Sequence, residues 1–171
     1  GTCYDVASRQ AVAALLDQYN LPLLEDEPYC ELDYDNLVKP PICSFLKTAP
    51  WIYFGTFSKV LIPGLRIGYL IAHPDLITHL VRLKQAADLH TNRPGQWLAL
   101  EYMNSAGKPQ RLERLREFYR VRRDAFAAAL ESGQQRTRAE LAAFLAQAGI
   151  VSDNLRLTYI MMHAELEGLI C

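Results

Sequence analysis

Near the start of the chain, apolar residues recur at helical spacing. Val12, Leu15, Leu16 and Tyr19 share one face of a helix predicted over 6–19, because positions i, i+3, i+4 and i+7 line up at 3.6 residues per turn. Asp5 stands where an N-cap belongs, with Ser8 as the later alternative. The pattern then changes. "LPLLE" (21–25), "WIYFGTF" (51–57) and "LRIGYLIAH" (65–73) are short runs rich in apolar, β-branched and aromatic residues. They read as strands buried on both faces. The acidic, Pro-containing "DEPYCELDYDN" (26–36) leaves the first strand as a loop, and prolines 40 and 41 mark a second connection.

Downstream the spacing is helical again. Pro74 and Asp75 open a helix to residue 90, and further helices are predicted over 94–107, 108–132 and 138–149. A strand over 155–161 and a short helix over 164–170 close the pattern. A helix followed by three continuous apolar strands predicts an α/β domain whose sheet is covered on both faces. The largely helical second half predicts part of an α+β domain. The boundary falls near Gly107, dividing the chain into 1–107 and 108–171.

Composition narrows the classes. The chain has 171 residues, 50% of them hydrophobic and 22% charged, with a formal net charge of -1. That describes a globular protein with a core and no Lys/Arg block, which argues against general nucleic-acid binding. The Arg-rich "RLERLREFYRVRRD" (111–124) mixes signs at helical spacing, as a solvated helix face does. Cys3, Cys30, Cys43 and Cys171 have no CxxC spacing and no neighbouring His pair, so no metal site is expected and the thiols read as unpaired in a reducing cytoplasm. Neither a signal peptide nor a membrane-spanning run is expected. Trp51, Tyr53, Phe54, Phe118, Tyr119 and Phe126 are core candidates.

The stretch "GTFSKVLIPGLRIGYL" (55–70) places Lys59 at the end of a buried-looking strand. A lone lysine there would snorkel to solvent. Lys59 has company, however. Ligands of α/β proteins bind at the C-terminal ends of strands; Asp26 and Tyr29 follow one strand there, and Lys59 follows the next. Thr56, Ser58 and Arg66 add hydroxyls and a guanidinium suited to a phosphate. A desolvated lysine amine is a nucleophile and Schiff-base former. Lysine, carboxylate, phenol and phosphate site together meet the needs of pyridoxal phosphate.

"EDEPYCELDYD" (25–35) and "WIYFGTFSKVLIPGLRIGYLIAHPDL" (51–76) resemble the fold type I, class I/II aminotransferases that use pyridoxal 5'-phosphate. The branch resembled is the aminoadipate-type enzymes and the aminotransferase-like domains of MocR-type GntR regulators. The likeness runs through 1–131 and resumes in 139–150 and 154–170. It implies part of that fold's large domain, a mostly parallel sheet with helices on both faces, over 1–107. Over 108–171 it implies a connecting helix and a partial small domain.

Carried over, the resemblance makes Lys59 the lysine of the Schiff base and general base. Asp26 becomes the acid that pairs with the pyridine nitrogen, and Tyr29 the partner of the phenolic oxygen. Thr56, Ser58 and Arg66 become phosphate-side residues, and Arg156 the binder of the substrate α-carboxylate. The implied activity is ping-pong transfer of an amino group between an α-amino acid and a 2-oxo acid such as 2-oxoglutarate, in a cytoplasmic homodimer. Thr91 or Asn92 then reaches the partner's site, or the segment from His90 simply caps a helix.

Each residue also has a plainer reading: a salt bridge for Arg66, a solvated acidic turn for Asp26 beside Glu25 and Glu27, loop packing for Tyr29, strand-end hydroxyls for Thr56 and Ser58, and a surface position for Arg156. Two other functions stay open. One is an effector-sensing domain of a MocR-type regulator, whose winged-helix DNA-binding segment would lie outside this chain. The other is an inactive fragment. The family's upstream half ends in an Asn-Pro-x-Gly motif at whose Gly this chain begins, and residues 131–157 are shorter than the family's counterpart. The chain thus reads as a truncated, internally deleted member.

Overall fold

The computed structural model describes residues 4–34, 39–130 and 137–152. They fall into two compact units, one running Tyr4–Glu113 and the other taking in the chain from Arg114 onward.

The first unit begins with α1 (Val6–Tyr19), as predicted. The Asp5 side chain accepts the Ser8 amide at 2.7 Å, satisfying one of the donors a helix start leaves open. Asn20 ends the helix in the left-handed conformation, at φ 48°. Strand β1 (Leu23–Asp26) lies parallel to β2 (Trp51–Thr56), and β2 pairs antiparallel with β3 (Gly68–Ala72). The described sheet therefore has the order β1-β2-β3. Short 3-10 turns at Cys30–Leu32, Ile42–Phe45 and Pro63–Leu65 join these elements.

The strands differ from expectation in burial. Leu24 is 68% exposed and Leu70 42%. Alternation puts both on the sheet face that also carries Asp26, Ile52, Phe54 and the buried Ala72, so among the described residues this face is open around Leu24 and Leu70.

Helices α2 (Pro74–Asp88) and α3 (Arg93–Asn104) follow. Asn92 proves to be the N-cap of α3, accepting the Gly95 amide at 2.7 Å, and the C-cap of α2 is Leu89. The core of this unit gathers Phe57, Val60, Ile67, Ala99, Tyr102 and Leu112, with Leu32, Leu61 and Leu65 against it. It lies directly under the segment that follows β2.

Helix α4 (Lys108–Leu130) carries the chain into the second unit. There Phe126 and Ala129 pack with Leu141, Leu145 and Ile150 around α5 (Arg138–Gln147). A reciprocal capping box between Thr137 and Glu140 starts α5. Its end is a Schellman turn: the Ile150 amide reaches the Leu145 carbonyl and the Gly149 amide the Ala146 carbonyl, with Gly149 at φ 73°, where glycine is preferred. Arg116, expected on a solvated face, is 7% exposed. The strand and helix predicted over 155–170 lie outside the described residues.

Candidate functional site

The parallel register sets Asp26 beside Phe54, so β1 and β2 end at the same edge. The Glu27 amide still reaches the Phe54 carbonyl at 3.3 Å. The chain then turns, and Tyr29 caps the 3-10 turn Cys30–Leu32. On the neighbouring strand Thr56 is the last residue. A single helical turn follows, closed by the Leu61 amide on the Phe57 carbonyl at 2.9 Å. Thr56 Oγ1 accepts the Ser58 amide at 3.1 Å and lies 3.4 Å from the Ile67 carbonyl, so it caps this turn at its start.

Phe57 and Val60 point into the core, which leaves Ser58 half-buried and Lys59 exposed. Lys59 is thus not desolvated, as its apolar surroundings in sequence had suggested. Its Nζ lies 5.4 Å from the centre of the Tyr29 ring, within cation–π range. The structure therefore brings Lys59 and Tyr29 together across two strand ends.

Arg66 is also exposed and follows the Pro63–Leu65 turn. Its backbone is left-handed, at φ 53°, a conformation that costs a non-glycine residue roughly 1–2 kcal/mol. Its Nη1 donates to the Pro63 carbonyl at 3.3 Å. Asp26 is exposed at the β1 end. Arg156 lies outside the described residues. Besides capping α3, Asn92 donates to the Leu65 carbonyl at 3.4 Å, next to Arg66.

Several supporting residues were not singled out in the sequence. Glu25, the last residue of the first predicted strand, is 6% exposed and accepts the amides of Ile42 and Cys43 at 2.8 and 2.9 Å. Arg9, 8% exposed, bonds Glu27 at 2.8 Å and the Pro40 carbonyl at 3.2 Å, with Glu25 at 3.6 Å. Strand alternation held the signal: Glu25 and Glu27 project opposite to Asp26, so the three acids could not share one environment. Lys108 pairs with Glu31 at 2.5 Å. Arg111 donates to the carbonyls of Val60 and Leu61, the two residues after Lys59.

Burial, followed by the nearby Glu25 charge, pushes the Cys43 thiol up to about 12, so it stays protonated and inert. Burial likewise raises Tyr53, Tyr69 and Tyr102. Tyr53 donates to the Cys30 sulfur at 3.6 Å. Among the described residues no His, Cys, Asp and Glu group could hold a metal ion, and no helix is long and apolar enough to cross a membrane.

The donor set suits pyridoxal phosphate. An accessible amine stands beside a phenol, a carboxylate sits at the adjacent strand end, and a guanidinium is held on a constrained backbone. In chemical type these are groups that suit an aldehyde, a phenolic oxygen, a pyridine nitrogen and a phosphate.

A family model for aminotransferases of class I and II matches residues 1–160. The chain is 38% identical over 131 residues to aromatic-amino-acid aminotransferase 1 of Thermococcus litoralis, covering 77% of this chain and 31% of that protein. It is 33% identical over 124 residues to the HTH-type transcriptional regulator YdfD of Bacillus subtilis, covering 72% of this chain and 26% of the regulator. Among solved structures it is similar to the α-aminoadipate aminotransferase LysN of Thermus thermophilus, complexed with N-(5'-phosphopyridoxyl)-L-leucine. That match has a TM-score of 0.70 and 34% identity, covering 77% of this chain and 34% of that one. The chain spans about a third of the length of the curated relatives it matches.

Proposed function

The chain belongs to the pyridoxal-phosphate-dependent aminotransferases of class I and II, with the fold type I architecture, and on that footing we propose that its site carries the cofactor on Lys59 and serves transfer of an amino group between an α-amino acid and a 2-oxo acid. One observation carries the reading: the Lys59 amine stands 5.4 Å from the Tyr29 ring centre, where the parallel strands β1 and β2 end.

When bound, the cofactor draws electrons from the substrate's α-carbon. The chain's own residues do the rest. Asp26 holds a proton on the ring nitrogen, and the Tyr29 hydroxyl donates to the ring oxygen. Thr56, Ser58 and Arg66 grip the phosphate, Arg66 through its planar fork. Lys59 would hold the cofactor through its amine, and the same amine, when free, would be placed to take the proton from the substrate's α-carbon. Arg156 takes the substrate carboxylate as a two-point fork, with 2-oxoglutarate as the amino acceptor. In this reading residues 1–107 are part of the cofactor-binding large domain, residues 108–171 carry the connecting helix and part of the small domain, and the whole protein works as a homodimer.

The likeness to a transcription regulator supports a second reading, in which the same site senses pyridoxal phosphate or an amino acid as a ligand.

The test is incubation of the purified chain with pyridoxal phosphate, borohydride reduction and peptide mapping. The expected result is one dominant adduct, on Lys59, that disappears in Lys59→Ala. Labelling spread evenly over Lys39, Lys47, Lys84 and Lys108 would overturn the reading. A Lys59 adduct without amino-group turnover in the full gene product would favour the sensor over the enzyme.

A further inference from the structure

The geometry points to Arg111 as a positioning residue for Lys59, a role that rests on the cofactor reading above. Lys59 sits in a single helical turn, residues 57–61, closed by the Leu61 amide on the Phe57 carbonyl. Such a turn presents open carbonyls at its C-terminal end, where partial negative charge collects. Arg111 meets them there. Its Nε donates to the Val60 carbonyl at 3.1 Å and its Nη2 to the Leu61 carbonyl at 2.9 Å. Two bonds from one planar fork fix direction as well as distance, which a single ammonium cannot do. Thr56 caps the other end of the turn through the Ser58 amide. The lysine is therefore held between two side-chain caps.

The fork is itself held in place. Leu112, the next residue, is buried in the core with Phe57 and Val60, which locks the first turn of α4 beneath the lysine turn. Lys108, three residues before Arg111, pairs with Glu31 at 2.5 Å, two residues past Tyr29. One helical turn of α4 thus grips both loops, the one bearing Lys59 and the one bearing Tyr29. Arg111 acts through the backbone of the turn, by its bonds to the Val60 and Leu61 carbonyls, and so sets where the Lys59 amine starts from.

The test compares the chain with Arg111→Met and Arg111→Lys in two measurements. The first is hydrogen exchange of the Ser58 and Leu61 amides without cofactor, with the amides of α1 as a control for folding. The second is the pyridoxal phosphate concentration that half-saturates the borohydride-fixed adduct on Lys59. Loss of charge-assisted bonds to the turn should speed exchange at Leu61 and raise the half-saturating concentration, each about tenfold, in Arg111→Met. Arg111→Lys should recover only part of both.

Unchanged exchange and half-saturation in Arg111→Met would overturn the inference. If that variant loses protection throughout α1, Arg111→Lys decides, and wild-type values there overturn the role of the fork. If the unaltered chain takes no label on Lys59, the cofactor reading falls by itself. The exchange measurement then judges the clamp alone, with faster exchange at Leu61 supporting it and unchanged exchange overturning it.

Discussion

Asp17 shows how much one half-buried carboxylate can organise. It accepts the amides of Lys47, Thr48 and Ala49 at 2.9, 3.0 and 2.9 Å, and the Thr48 hydroxyl at 3.2 Å. Those amide bonds hold its carboxyl down at about 2. A folded-state value below the unfolded one contributes stability above the unfolded value, lost as pH falls through the folded one. Asp17→Asn should therefore lower the urea midpoint at pH 7, and the gap from the unaltered chain should close between about pH 4 and pH 2. A gap that stays constant across that range would mean that the amides do not depend on the charge. Asp17 carried no signal in the sequence, because its three donors lie 30 to 32 residues away. The positions of Lys59, Asp26 and Tyr29 at or just past a strand end were legible because the hydrophobic pattern marks where each strand stops. The outward direction of Lys59 was not legible, since only the burial of Phe57 and Val60 on either side sets it.

Among the elements, the helices were read most closely. Caps are local chemistry, so Asp5 could be named for α1 from the sequence. For Asn92 the sequence leaves a helix cap and a contact with the partner's site side by side; the structure shows a cap, at the start of α3 rather than the end of α2, because an Asn before Arg-Pro suits either and its bond to the Gly95 amide decides. The 3-10 turn Ile42–Phe45 went unread, since the Glu25 carboxylate organises it from 17 and 18 residues away. The pairing of β2 with β3 depends on a glycine. Gly55 faces Tyr69 in register, and a Cβ at Gly55 would clash with the hydroxyl end of the tyrosine ring. That ring contacts Phe57 at 5.4 Å and Tyr53 at 6.5 Å. Gly55→Ala forces it away, and losing such aromatic pairs should cost about 1–2 kcal/mol. In a Tyr69→Ala background the same change should be close to neutral, a non-additivity that a double-mutant cycle in urea measures. Equal costs in both backgrounds would show that the ring is not the obstacle.

Across the molecule, the open sheet face stands out. Leu24 and Leu70 are exposed on the side that bears Asp26, with Ile52 and Phe54 half-buried between them. Exposed apolar faces bind amphiphilic dyes and promote association. The purified chain should therefore enhance the fluorescence of anilinonaphthalene sulfonate, and Leu24→Lys with Leu70→Lys should cut the enhancement by at least about half. Undiminished fluorescence in that double variant would place the dye elsewhere. The expectation that these strands are buried on both faces came from their continuous apolar runs, a pattern that reports the solvent a strand is suited to rather than which neighbour provides the cover.

By itself the sequence determined what short-range physics controls. It specified where helices begin, which runs form strands, and that a lysine, a phenol and a carboxylate follow two neighbouring strand ends. These depend on periodicity, caps and side-chain chemistry within a few residues. Tertiary structure alone decided the contacts that hold those groups in place: Arg9 against Glu27 across 18 residues, and Arg111 against Val60 and Leu61 across 51 and 50. Which charge is buried, and which carbonyl receives a guanidinium, depends on how the elements pack. No local pattern encodes a pairing between residues that meet only once the core has formed.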